Sequence, residues 1–140
     1  MKVFLDTNVL ASSIATRGLC AELFESIISE HELLTGEPVL REIQRVLADK
    51  FRLPSPVIKG FVGLLKAEGL VIETQEQLSL KISDPDDVAI LACAIASGAD
   101  VFVTGDKALL SLGAIGDIPI LSPRQLWEQL AGLGKGEKPK

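Results

Sequence analysis

The feature that most restricts this chain is an alternation: short apolar runs take turns with stretches whose apolar residues recur at helical spacing. Residues 2–5, 32–35, 70–73, 100–104 and 118–121 read as buried strands. Residues 19–29, 38–51, 57–67, 85–97, 107–112 and 123–131 read as helices, and Val9, Leu10 and Ile14 suit another directly after the first strand. Strands separated by helices require a parallel sheet covered on both faces and joined by right-handed crossovers. That architecture sets every strand's carboxyl end along one edge, where open α/β sheets bind their ligands.

Two of those strands run directly into acids: Val3-Phe4-Leu5 into Asp6, and Val103-Thr104-Gly105 into Asp106. A third acid, Asp87, lies in Asp84-Pro85-Asp86-Asp87 ahead of a helix that is apolar nearly all round. Each has a plain reading as a helix cap, because Asp satisfies the free N–H groups of a first turn, and Asp84-Pro85 is a good helix start on its own terms. Glu42 breaks that pattern. It stands between Val39 and Val46 at spacings of three and four, which turn it toward the apolar side of its helix. Its plain alternative is a boundary position paired with Arg41 or Arg45.

Carboxylates gathered at one sheet edge repel each other unless a cation neutralises them. The oxygen-only set Asp6, Glu42, Asp87 and Asp106 suits a hard ion, Mg²⁺ or Mn²⁺. Such a site suits phosphodiester hydrolysis. Asn8 and Thr104 lie beside the acids and offer neutral hydrogen-bonding groups to orient them.

Composition closes off other classes. With 140 residues, 47% of them hydrophobic, the chain can build one domain with a core; we assign it residues 1–131, with 132–140 a disordered basic tail. No apolar run approaches the roughly 18 residues of a membrane span and the start lacks a signal-peptide pattern, so a cytoplasmic protein with no membrane partner is expected. Cys20 and Cys93 lack CxxC spacing and read as buried small hydrophobes, and the single His31 cannot build a zinc centre. A net charge of −5 excludes indiscriminate coating of nucleic acid. Local basic residues still offer a phosphate-binding stripe: Arg41, Arg45, Lys50 and Arg52, with Lys59 and Lys66 beyond.

Taken together, Leu5-Asp6-Thr7-Asn8-Val9-Leu10, the Glu42 helix, Asp84-Pro85-Asp86-Asp87, and the run from Gly98 to Asp106 resemble a PIN-domain protein over nearly the whole chain. More narrowly, the chain is similar to VapC-type toxins of toxin–antitoxin systems. The resemblance implies a three-layer α/β/α sandwich with a five-stranded parallel sheet, Mg²⁺- or Mn²⁺-dependent ribonuclease chemistry on an RNA substrate, homodimers or higher assemblies, and a small antitoxin partner. It carries Asp6, Glu42 and Asp87 onto the family's acidic core and Asp106 onto its fourth acid. Asp87 is preferred to Asp84 and Asp86 because it stands eleven positions before Gly98. Many relatives have a further acid where this chain has Val88. One alternative is a catalytically weak PIN module that binds RNA or a partner protein. A phosphatase of the haloacid dehalogenase type is disfavoured, since that class places a second Asp two positions after its first, where this chain has Asn8.

Overall fold

The computed structural model describes residues 1–73 and 85–132. In chain order these form β1 (Lys2–Leu5), α1 (Thr7–Ala15), α2 (Leu19–Glu30), β2 (Glu32–Gly36), α3 (Glu37–Asp49), α4 (Ser55–Glu68), β3 (Gly69–Ile72), α5 (Pro85–Ser97), β4 (Val101–Val103), α6 (Lys107–Leu110), β5 (Ala114–Ile115), β6 (Ile118–Leu121) and α7 (Pro123–Leu130). The connector read at 75–83, and the tail apart from Gly132, lie outside the described residues.

The sheet runs β3-β2-β1-β4-β6-β5. Its first five strands are parallel, as expected. The sixth, β5, was not expected: two residues, Ala114 and Ile115, pair antiparallel with β6 through Pro119 and Ile118. So short a strand has no period to read, and it forms because a tight connection folds it back on its neighbour.

The strand order explains where a site can form. From β1 the chain steps outward to β2 and β3, then crosses back beyond β1 to lay down β4 and β6 on the other side. Right-handed crossovers in opposite directions place their helices on opposite faces, and the reversal falls between β1 and β4. The two strands are in register, Phe4 beside Phe102 and Leu5 beside Val103, and the Phe4 and Phe102 rings stack at 5.7 Å and 11°.

The core lies on the sheet, with Val3, Phe4, Leu5, Phe102 and Val103 completely buried. Each helix delivers the face its spacing dictates: α3 buries Val39, Leu40, Ile43 and Leu47, and the nearly all-apolar α5 buries Ile90 to Ala94. At one point the packing is closer than any side chain permits. A Cβ added to Gly36, at the end of β2, would stand 2.8 Å from Cys93 Sγ on α5 and 3.2 Å from the Ile72 carbonyl. Gly36 thereby lets α5 lie down on the sheet at Cys93.

Candidate active site

Asp6 is the first residue beyond β1, and its N–H donates to the carbonyl of Val103 at 2.9 Å, which holds it against the end of β4. Asp6 is buried, 6% exposed as a residue. Oδ1 accepts from the N–H of Thr7 at 2.8 Å and Oδ2 accepts from Thr104 Oγ1 at 2.7 Å. Thr104 is fully buried, and its Oγ1 in turn accepts from the N–H of Asp106 at 3.0 Å. Because a carboxylate only accepts, the chain has one direction: Asp106 N–H to Thr104 hydroxyl to Asp6.

Burial pushes the Asp6 carboxyl above its ordinary 3.8; the Thr104 and Thr7 hydrogen bonds oppose that rise, and the charges of Glu42 and Asp106 add to it. Three of the expected acids thus share one field at the switch point. Asp106 caps α6, its Oδ1 accepting from Ala108 at 2.8 Å and Leu109 at 3.3 Å. The capping reading is therefore correct for both Asp6 and Asp106. It does not compete with ligation, since an ionised carboxylate offers about four lone-pair sites and a cap uses one or two.

Glu42 is half-buried at the border of the apolar face of α3, as its spacing predicts. It pairs with Arg45 at 3.7 Å, with the arginine side chain 63% exposed. At that exposure the pair contributes under about 1 kcal/mol and opens readily. Arg41, Glu42 and Arg45 line a cavity of about 100 Å³ with Pro38 of α3 and Ala89 and Ile90 of α5. Asp87, half-buried, precedes Ile90 by one turn of α5 and so lies on the same side of that helix.

The structure divides the expected basic stripe. Arg41 and Arg45 border the acids, but Lys50 caps the far end of α3, eight residues or roughly 12 Å of helix beyond Glu42. Lys50 lies over the Phe51 ring at 5.6 Å and Arg52 turns the following loop with φ 54°, so neither is brought to the site. Thr104 takes the expected orienting position beside Asp6, whereas Asn8 is exposed on α1 and its side chain makes no hydrogen bond among the described residues.

Sequence reasoning passed over the end of β6. Ser122 closes that strand on the same edge, and with Gln125 it forms a reciprocal cap on α7: Ser122 N–H donates to Gln125 Oε1 at 2.8 Å and Gln125 N–H to Ser122 Oγ at 3.1 Å. The available signal was the strand-then-cap grammar already seen at Asp6, here as Ser122-Pro123-Arg124-Gln125.

Among the described residues, no three acid, thiol or imidazole side chains stand close enough together to hold a metal ion. In kind the donors fit one. All are carboxylate oxygens suited to Mg²⁺ or Mn²⁺, and the rise imposed on Asp6 by burial and by its two acidic neighbours is what a cation would relieve.

The model of the PIN domain family matches residues 2–108, and the chain belongs to that family. No curated protein matches it. Among solved structures it is similar to VapBC-1 from nontypeable Haemophilus influenzae, at 17% identity and a TM-score of 0.63 over 89% of this chain and 99% of that one. It is also similar to VapBC2 from Rickettsia felis, solved bound to a DNA fragment from the promoter, at 17% identity and a TM-score of 0.60 over 87% of this chain and 98% of that one. At that identity the likeness speaks for the fold. The fold above is therefore that of a PIN domain, in which β5, β6 and α7 follow the matched span.

Proposed function

We propose that this PIN domain is a metal-dependent endoribonuclease, the toxin of a toxin–antitoxin pair, acting on RNA in the cytoplasm. The observation that carries the reading is Asp6: a residue 6% exposed whose carboxyl is held by two hydrogen bonds and pushed up by burial and further by Glu42 and Asp106. A fold does not keep charge buried among like charges for capping alone, since Thr7 or Asn8 would cap α1 without that cost. Membership of the PIN family supports nuclease chemistry, and the VapBC likeness supports a small antitoxin as partner.

In this reading Asp6, Asp87 and Asp106 hold Mg²⁺ or Mn²⁺, and Glu42 ligates it or orients the attacking water. The ion, when bound, lowers the pKa of water and offsets charge on the phosphate oxygens. The remaining work belongs to the chain. Thr104 fixes one oxygen of Asp6 while Thr7 N–H fixes the other. Arg41 and Arg45 hold a phosphate beside the acids, and opening of the Arg45–Glu42 pair frees that carboxylate. Lys50 and Arg52 contact only RNA that continues along α3. Products carry 5′-phosphate and 3′-hydroxyl ends. The domain spans residues 1–131, and the protein is a homodimer or higher assembly. Among the described residues no helix is long and apolar enough to cross a membrane.

The test compares wild type with Asp6→Asn. Millimolar Mn²⁺ should raise the melting temperature of wild type alone; at about a hundred times Kd the gain is ~2.7 kcal/mol. Wild type should also cut RNA while Asp6→Asn, still folded, does not. Cutting at the wild-type rate by the variant would refute the assignment.

A further inference from the structure

The catalytic edge does not end at the acids. One strand further along lies an open groove of about 500 Å³, lined by Leu110 at the end of α6, Gly113, Ile120 of β6, and Arg124, Gln125 and Glu128 of α7. Its volume falls within the ~300–1,000 Å³ of small-molecule sites. Resting on the ribonuclease reading, we propose that this groove is a nucleotide subsite: Arg124 holds a phosphate of the RNA strand leaving the acids, and Glu128 accepts from an amino group of the base beside it.

The position follows from the sheet. Val103 of β4 is in register with Leu121 of β6, and the Thr104 N–H donates to the Leu121 carbonyl at 3.0 Å. Ser122 therefore ends β6 level with Thr104, two strands from Asp6, or about 10 Å at the usual spacing. On the other wall, the Leu110 N–H donates to the Asp106 carbonyl at 2.9 Å, so the groove opens one helical turn from an acid of the site. RNA laid across the edge meets Arg41 and Arg45 on the α3 side and this groove on the α7 side.

The chemistry follows from groups left unspent. In the first turn of α7 Pro123 has no N–H and that of Gln125 is taken by Ser122 Oγ, so Arg124 supplies the donors on offer, its guanidinium above all. The Arg124 side chain is exposed and makes no ion pair or hydrogen bond among the described residues. Glu128 stands four residues on, the spacing at which opposite charges on a helix usually close, yet no ion pair joins them. The Cβ atoms of the two residues lie about 5–6 Å apart, one helical turn, which lets one side chain reach a phosphate and the other a base. Leu110, half-buried, supplies the apolar surface for the flat of the base. A carboxylate accepts from the N4 amino group of cytosine and repels the O4 carbonyl of uracil, so cytosine is the preferred base of the pair.

The probes are short labelled oligo(rC) and oligo(rU), titrated against the full chain carrying Asp6→Asn at several salt concentrations, with cleavage of unlabelled RNA by wild type in parallel. Arg124→Ala should weaken binding of both probes about tenfold and reduce the salt slope by about 0.7, one phosphate contact on a single strand. Glu128→Ala should leave the slope alone and abolish an at least about fivefold preference for oligo(rC). Neither change should move the melting temperature. If both variants bind like the parent while Arg41→Ala binds more weakly and wild type cuts RNA, the subsite is refuted and the nuclease reading stands. If no protein binds either probe and wild type cuts nothing, both fall.

Discussion

Thr104→Val isolates what holds the site together, because valine keeps the shape of threonine and removes one oxygen. That oxygen makes the 2.7 Å bond to Asp6 Oδ2 and accepts the 3.0 Å bond from the Asp106 N–H, at a residue with no exposed surface. Without it one oxygen of a buried carboxylate has no donor and a backbone N–H has no acceptor. Hydrogen bonds to charged groups contribute about 1.5–3 kcal/mol, and the orphaned amide lies near solvent, so the loss should be of that size. For a domain of 140 residues this corresponds to a fall of roughly 5–12 °C in melting temperature. The Thr104 bond also opposes the rise in the Asp6 carboxyl, so its removal should push that group further up and move the acid limb of any RNA-cleavage profile to higher pH. Thr104→Ser keeps the hydroxyl and should recover most of both effects. The assay is thermal melting in chelator together with cleavage rate against pH for the three proteins. If Val and Ser melt alike and share the wild-type pH profile, the directed chain from Asp106 through Thr104 to Asp6 does not support the site.

Three further outcomes are expected. In chelator, Asp6 lowers stability as pH rises from 3.8 through its raised folded value, because the folded state there keeps a proton that the unfolded state has lost; Asp6→Asn should therefore gain most over wild type at neutral pH and lose that advantage toward 3.8, and a gap that widens on acidification would refute the burial argument. Gly36→Ala drives a Cβ to 2.8 Å from Cys93 Sγ and 2.9 Å from Cys93 Cβ and should cost about 1–3 kcal/mol; combined with Cys93→Gly, which removes both atoms, the losses should be less than additive in chemical denaturation, and strict additivity would mean that α5 does not press on β2 there. Leu91→Asp puts an unpaired charge at a completely buried position of α5, so it should cost more than about 4 kcal/mol and leave no cooperative transition; wild-type melting would refute the placement of that helix.

The sequence by itself determined the order of every element except the two-residue β5, because each of the others carries its own period. Val3 to Leu5 are apolar without interruption and can only be a strand buried on both faces, while Val39, Leu40, Ile43 and Leu47 can only form one side of a helix. It also determined that Glu42 faces partly inward, since helix geometry is local. What the tertiary structure alone decided is adjacency. Nothing in residues 2–5 or 101–103 says that these strands pair; the crossover from β3 past β1 does, and it brings Thr104 to Asp6 across 98 positions of chain. The length of α3, a local property, holds Lys50 and Arg52 apart from Arg41 and Arg45, whereas the crossover brought the end of β6 to the edge where the acids stand. Periodicity is a property of one segment and survives in the string; proximity is a property of how segments pack, and it exists only once the sheet has closed the distance.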